Sequence, residues 1–310
     1  MMFIMGDRAG VVFTDQVSSA NIAVRIFRLA KRKLIFYCHY PDVLLCVERD
    51  SFVKRLYRLP FDWIERYTTG MCDVLLVNSE FTAETLRETF ENVTRRVQVL
   101  YPPIDTASIR SSDMSEISSI VGSGKFFASL NRYERKKDIP LVLEAFADFN
   151  RITKRKDIKL VIAGGYDERV SENVQVFKEL ERMIVKLSLE RNVYLLQNVS
   201  DSIRSALLER AEAVVYSPQF EHFGIVPCEA MALGTPVIAW NNGGPKESIL
   251  NNKTGFLCST RAAFSKAMVT VVNRDDQARS DMGRACKERI NKKFSLNTFG
   301  STLFALITGK

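Results

Sequence analysis

The sequence has no apolar run approaching the roughly 20 residues that a membrane-spanning helix needs, so no part of it must cross a bilayer in that form. Its six cysteines (Cys38, Cys46, Cys72, Cys228, Cys258 and Cys286) form no C-x-x-C pair, which argues against a zinc ribbon or a dithiol redox motif. Free buried thiols in a reducing compartment are the simplest account of them. Histidines number two, and no Asp or His cluster with metal-ligand spacing accompanies them, so no metal site is expected. The opening Met1-Met-Phe-Ile-Met5 is shorter than a signal h-region and lacks a basic leader, which predicts a cytosolic chain. No internal repeat occurs at solenoid spacing.

What is present is an ordinary globular composition. With 310 residues, 46% of them hydrophobic, the chain suits two domains with cores of their own. A net charge of +8 favours anionic partners such as nucleotide diphosphates, lipid pyrophosphates or a membrane surface. No nucleic-acid motif comes with that charge, and a nucleic-acid partner is not expected.

The stretch that organises the sequence is Glu221-His-Phe-Gly-Ile-Val-Pro-Cys-Glu229. It follows an apolar, β-branched run, Ala213-Val-Val-Tyr-Ser-Pro218, with the length of a parallel strand, so its two glutamates fall where α/β sheets bind ligands. A helix beginning near Val226 leaves the N–H groups of Gly224, Ile225 and Val226 free for a phosphate. Pro227 suits the first helical turn. Glu229 is then placed to accept from neighbouring ribose hydroxyls, and Glu221 to reach a sugar beyond the phosphate. On spacing alone, two solvated glutamates explain the motif equally well.

Strand and helix patterns alternate along the chain. Strands are expected at 11–14, 33–38, 73–79 and 97–103, with helices at 19–32 and 80–90, the latter capped by Ser79. His39, in His39-Tyr-Pro-Asp42, stands at the carboxyl end of the second strand and faces either a cleft or its own loop. Residues 50–70 read as a helix broken or kinked at Pro60, with Phe52, Leu56, Leu59, Trp63 and Ile64 on one stripe beside Lys54, Arg55, Arg58 and Arg66. That mixture suits a membrane interface, or a plain surface helix packed on the sheet. A Ser-rich stretch, 104–124, reads as a linker. Beyond it the alternation restarts: strands at 126–132, 159–165, 193–198, 213–218 and 236–240, helices at 139–153, 171–187 and 202–210 with Asp201 as cap, then three closing helices. The domains expected are 1–103, 125–291, and a C-terminal helix, 292–310, packing back on the first domain or on a membrane. Two doubly wound, Rossmann-like α/β units facing a cleft make the expected fold class, with a nucleotide in that cleft.

Ser129-Leu-Asn-Arg-Tyr-Glu-Arg-Lys-Lys137, the 221–229 motif and Gly243-Gly-Pro-Lys-Glu247 together resemble the donor half of the retaining GT-B glycosyltransferases. Phe36-Tyr-Cys-His-Tyr-Pro-Asp42, Lys54-Arg-Leu-Tyr-Arg58, Asp62-Trp-Ile-Glu65, Tyr67-Thr-Thr-Gly70 and Asn131 to Lys137 narrow the match. They resemble the GDP-mannose-dependent α-1,3/1,6-mannosyltransferases of dolichol-linked oligosaccharide assembly, from about Val11 to about Asn291. The resemblance implies transfer of mannose from GDP-mannose to a dolichyl-diphosphate oligosaccharide, with retention of configuration, at the cytosolic face of the endoplasmic reticulum membrane. It implies that Arg132 and Lys137 neutralise the donor diphosphate in place of a metal, that Glu229 holds the ribose, and that Glu221 supports the positive charge developing at the sugar. His222, Phe223 and the 224–226 amides would lie along sugar and phosphate, Gly243 and Gly244 would permit close backbone approach, and His39 would face the sugar from the acceptor side. No cofactor is implied beyond the donor itself.

Family members begin with a strand, a Gly-rich turn and a helix, and nothing before Val11 supplies them. The expected first sheet is therefore incomplete, with an edge or an apolar face uncovered. Two alternatives remain open at this point: a shortened form that binds nucleotide sugar without transferring, and a transferase of the same fold that uses another donor such as UDP-N-acetylglucosamine.

Overall fold

Runs such as Leu34-Ile-Phe36 and Leu160-Val-Ile162, apolar at every position and buried at every position, have the signature of parallel strands covered on both faces. The computed structural model builds two sheets from such runs and describes residues 2–4, 10–26, 32–45, 52–90, 93, 97–106, 114–122 and 124–308. The chain divides into two units, Met1–Pro102 with Phe299–Lys310, and Pro103–Thr298.

The first unit runs β1 (Met2–Ile4), β2 (Val11–Asp15), α1 (Ala20–Ile26), β3 (Lys33–Cys38), α2 (Asp42–Leu45), α3 (Phe52–Thr69), β4 (Val74–Val77), α4 (Glu80–Thr89) and β5 (Val97–Val99). Its strands lie in the order β1-β2-β3-β4-β5, parallel except for β1, which pairs antiparallel with β2 in the register Phe3 to Phe13. β1 adds an antiparallel strand that the sequence does not announce, since three residues are too few to show a period. On one face Val12, Leu34, Phe36 and Leu75 pack with Leu86 and Phe90 from the segment that Ser79 caps, its Oγ accepting from the Thr82 N–H at 2.9 Å. Of the kink or break expected at Pro60, the break does not occur: α3 runs through that residue uninterrupted. The carbonyl that Pro60 leaves without a donor lies on an exposed stretch, where water can satisfy it. Residues 27–31 of the helix expected at 19–32, residues 50–51, and the side chains of Phe52, Lys54 and Arg55 lie outside the described residues.

The second unit runs α5 (Met114–Val121), β6 (Phe126–Leu130), α6 (Ile139–Thr153), β7 (Lys159–Gly164), α7 (Ser171–Lys186), β8 (Val193–Gln197), α8 (Asp201–Arg210), β9 (Val214–Tyr216), α9 (Ile225–Leu233), β10 (Val237–Trp240), α10 (Pro245–Ser248), β11 (Gly255–Cys258), α11 (Arg261–Val272) and α12 (Asp276–Lys293). The stretch expected as a linker thus contains a helix, α5, whose Ile117 and Val121 are buried; residues 107–113 and 123 lie outside the described residues. The sheet order is β11-β10-β9-β6-β7-β8, all parallel. This is the doubly wound order in which the chain reverses direction between the first strand of the unit, β6, and the fourth, β9. Phe146 and Phe149 of α6 close over Phe127 with ring centroids 6.5 and 5.5 Å away. α8 is capped by Ser200, whose Oγ accepts from the Ile203 N–H at 3.2 Å, and Asp201 is its first residue instead of its cap.

The closing helix α13 (Leu296–Thr308) lays Phe299, Leu303, Leu306 and Ile307 over Ile35, Tyr37, Leu76 and Leu100, the apolar face of the first sheet that was expected to be uncovered. All four are half-buried, so each contributes less than the roughly 1.5–3 kcal/mol of a fully buried side chain.

Candidate functional site

The carboxyl ends of β9 and β6 frame the point where ligands bind in open α/β sheets. A cavity of about 530 Å³ opens there, lined by Arg132 and Lys137 after β6, by Tyr216 at the end of β9 and Glu221 beyond it, and by Ile225 and Val226 at the start of α9. Neighbouring strands lie about 4.8 Å apart, so the floor from β9 through β6 and β7 to β8 is about 14 Å long. At the β8 end the lining is Asn198 and Val199, and Arg204 joins it from α8.

Two segments distant in sequence are joined at the switch point. Lys137 Nζ donates to Glu221 Oε2 at 2.6 Å, and Ser217 Oγ donates to the Lys137 carbonyl at 2.6 Å. The Asp138 carboxylate, its pKa raised by burial, is hydrogen-bonded to Gln219. Asp138 (φ 45°) and Phe220 (φ 53°), adjacent to Lys137 and Glu221, both adopt the left-handed conformation that costs a non-glycine residue energy. Strain at both flanks of one ion pair means that the surrounding bonds hold the two charged groups in place. Burial first, and then the Glu221 carboxylate to which it is hydrogen-bonded, push the Tyr216 hydroxyl well above the usual phenol range, so it stays an O–H donor to Glu221.

The basic loop separates its four cations. Arg135 forms two hydrogen bonds to Glu179, both 2.9 Å, and Lys136 pairs with Glu134 at 3.2 Å. Arg132 also meets Glu134, at 3.0 Å, but its side chain is 65% exposed and it lines the cavity with Lys137. Tyr133, buried between them, anchors the loop by donating to the Leu196 carbonyl at 2.8 Å.

α9 starts at Ile225 behind Gly224, whose φ of 81° needs glycine; its first N–H groups have no partner within the helix, and Ile225 and Val226 line the cavity. An anion is stabilised at such a helix start. Glu229, one helical turn in, is paired with Arg204 Nη2 of α8. Phe223 does not line the cavity; it is buried with its ring 5.7 Å from that of Phe294. His222 is half-buried and also outside the lining. Gly243 and Gly244 do permit close approach, but of the protein's own backbone: a Cβ on Gly244 would lie 2.2 Å from the Phe223 carbonyl oxygen, and one on Gly243 2.6 Å from that of Glu221. They hold the glutamate loop from behind.

His39 belongs to the first unit, where its Nε2 lies 2.8 Å from Asp15 Oδ1 and its ring 4.7 Å from that of Tyr37. Sequence reasoning brought Arg132, Lys137, Glu221, Ile225 and Val226 to one cavity, and missed Tyr216, Ser217, Asp138 and Arg204. Ser217 and Asp138 act through hydrogen bonds that no spacing announces; the one signal for Tyr216 was its place at the end of the strand feeding the glutamate loop.

Set against known proteins, residues 111–289 match the family model for glycosyl transferases group 1, and residues 4–108 the model for glycosyltransferase family 4. The chain is similar to the alpha-1,3/1,6-mannosyltransferase ALG2 of Mus musculus, 43% identical over 99% of this chain and 75% of that protein. It is 44% identical to the ALG2 of Homo sapiens with the same coverage, and 37% to that of Saccharomyces cerevisiae over 84% of this chain and 56% of that protein. Among solved structures it resembles a sucrose-phosphate synthase from Thermosynechococcus elongatus, with a TM-score of 0.76 at 18% identity over 97% of this chain and 73% of that one. Anabaena HepE in complex with UDP gives a TM-score of 0.76 at 18% identity, over 96% and 79%. At such identities these two speak for the GT-B fold alone.

Proposed function

The chain belongs to the alpha-1,3/1,6-mannosyltransferases, glycosyltransferases of family 4 type, and from that premise we propose that it takes mannose from GDP-mannose and adds it to a mannosyl hydroxyl of a dolichyl-diphosphate oligosaccharide. The observation that carries the reading is the Lys137–Glu221 pair at the switch point, a cation and a carboxylate held side by side at the head of a cavity long enough for a nucleoside diphosphate.

In this reading the diphosphate lies against Arg132, Lys137 and the start of α9. Arg132 offers a planar fork and Lys137 a mobile point charge. As the anomeric carbon releases the phosphate oxygen, negative charge grows on GDP beside these groups while positive charge grows on the sugar beside Glu221. Fixed charges on both sides favour that transition state over the bound donor. The acceptor oxygen bonds to the anomeric carbon on the face that GDP leaves, its proton passes to the departing phosphate, and configuration is retained. Lys137 exchanges Glu221 for the phosphate as the donor enters, so that one cation serves both states. Glu229 holds the ribose, and the diphosphate charge is carried by these residues without a cofactor.

The acceptor carries a polyprenyl chain, and the surface of α3 fits the place where such a chain is found. Leu56, Leu59, Trp63 and Tyr67, at helical spacing, are 59, 60, 64 and 57% exposed, with Trp63 stacked on Tyr67 at 5.5 Å and exposed Arg66 beside them. We assign this face to the cytosolic surface of the endoplasmic reticulum membrane, where aromatic and basic side chains sit well at the headgroup boundary. No helix among the described residues is long and apolar enough to cross a membrane. The test of the whole reading is transfer of labelled mannose from GDP-mannose to a lipid-diphosphate acceptor bearing mannose on chitobiose, measured with and without the Glu221 carboxylate.

A further inference from the structure

Arg204 has no role in the transfer described above, yet it lines the same cavity and is bound to the carboxylate assigned to ribose. It projects from the first turn of α8, the helix that follows β8 and packs on α9 and β6, while Asn198 and Val199 lie at the carboxyl end of β8. A nucleoside diphosphate sugar with its sugar at Glu221 and its ribose at the Arg204–Glu229 pair, of which the arginine lines the cavity and the glutamate does not, brings its base to Asn198 and Val199 beside Arg204.

These three residues differ in what they can still offer a ligand. The Asn198 amide is spent on the backbone: its Oδ1 accepts from the Tyr166 N–H at 2.8 Å, and its Nδ2 donates to the Tyr166 carbonyl at 2.7 Å. That clamp fixes the loop after β8. Val199 offers a small apolar wall. Arg204 keeps five N–H donors on a planar fork, of which Nη2 is held by Glu229, and its side chain is one-third exposed to the cavity.

Ribose hydroxyls that bind Glu229 compete with Arg204 for the same carboxylate oxygens. The guanidinium released in that exchange lies one glycosidic bond from the ribose. Guanine presents two adjacent acceptors, O6 and N7, which match two parallel N–H donors; uracil has no such adjacent pair. We infer that Arg204 is the residue by which this pocket selects a guanine nucleotide: it guards Glu229 in the empty site and turns to the base when the ribose takes its place. The inference deepens the proposed function and rests on its assignment of Glu229 to ribose.

The experiment is titration of GDP and UDP into the full chain by calorimetry, for the native protein, Arg204→Ala, Arg204→Lys and Glu229→Gln, with thermal melting as a check on folding. The native protein is expected to bind GDP at least ten-fold more tightly than UDP. Arg204→Ala is expected to lose about ten-fold or more in GDP affinity with UDP affinity unchanged or improved, collapsing the preference, a size that follows from the 1–3 kcal/mol of one bidentate base contact. Arg204→Lys keeps the charge but not the fork and should not restore the preference. Glu229→Gln should weaken both nucleotides alike, as a ribose contact must. An equal loss of GDP and UDP in Arg204→Ala overturns the inference and leaves the donor reading standing. Failure of the native protein to bind either nucleotide overturns that reading, and the inference with it.

Discussion

Lys137 Nζ and Glu221 Oε2, 84 positions apart in sequence, lie 2.6 Å apart at the point where the second sheet reverses its winding. Their side chains are 12% and 25% exposed, so the pair is screened from water on most sides yet open to the cavity. A pair in that position contributes little to holding the fold, because desolvation offsets most of the attraction. Its value is to have both charges fixed before a ligand arrives.

Glu221→Gln and Lys137→Met are therefore expected to separate activity from stability. Each should lower transfer by about 10²–10³-fold, the usual cost of removing one fixed electrostatic group from a transition state. Each leaves a largely buried partner charge unpaired and should cost about 3 kcal/mol of unfolding free energy, which leaves the chain folded and cannot account for the lost rate. Rate measurements beside urea denaturation check both numbers; a variant that loses activity only in proportion to its folded fraction contradicts the assignment.

Gly244→Ala should instead make the two fall together. Its new Cβ would sit within 2.5 Å of three Phe223 backbone atoms, so the glutamate loop must shift or the turn must open. A loss of about 3 kcal/mol is expected, at the upper end for single substitutions. Activity should fall with it even though no ligand is touched. Denaturant titration of the purified variant decides, and a stability within about 0.5 kcal/mol of the parent would show that the loop gives way freely.

Much of this arrangement could be read from the residues. The helix expected at 139–153 is found at the same residues, Ile139–Thr153. The doubly wound class followed from alternating runs such as those expected at 159–165 and 171–187. Pair partners were not legible. Nothing in Arg132 to Lys137 says that Arg135 turns to Glu179 and Lys137 to Glu221, because that depends on which neighbours the folded sheet brings near. Phe223 looked like part of a ligand motif because its neighbours are, yet its size placed it in the core against Phe294. On α3 the stripe left two readings open, a membrane interface or a helix packed on the sheet, and only the folded unit shows Leu56, Leu59 and Trp63 facing outwards.

The thiols supply a test that is independent of activity. Burial pushes Cys38, Cys228, Cys258 and Cys286 each up to about 12. At pH 8 almost none of their thiolate exists in the folded protein, so a disulfide reagent should leave all four unreacted until denaturant is added. The folded state keeps these protons where an unfolded thiol, near 8.5, has given them up. Stability is therefore retained below about pH 9 and falls as pH rises from there to about 12. Cys72 is buried as well, and Cys46 lies outside the described residues, so rapid labelling of more than one thiol at pH 8 contradicts the packing.

On α3, replacing Leu56, Leu59, Trp63 and Tyr67 together by serine should leave folding nearly intact, since these side chains are already more than half exposed. It should abolish flotation with vesicles containing anionic lipid while sparing transfer to a short-chain, water-soluble acceptor. Full recovery of the unaltered protein in the unbound fraction would remove the membrane assignment.

The most direct test of the central claim is transfer of labelled mannose from GDP-mannose to a short-chain lipid diphosphate carrying one mannose on chitobiose, run beside Glu221→Ala. Transfer by the native chain that the variant lacks is the predicted result, with the product retaining the donor's α configuration. Donor binding without transfer by the native chain, or transfer that survives loss of the Glu221 carboxylate, would contradict the account.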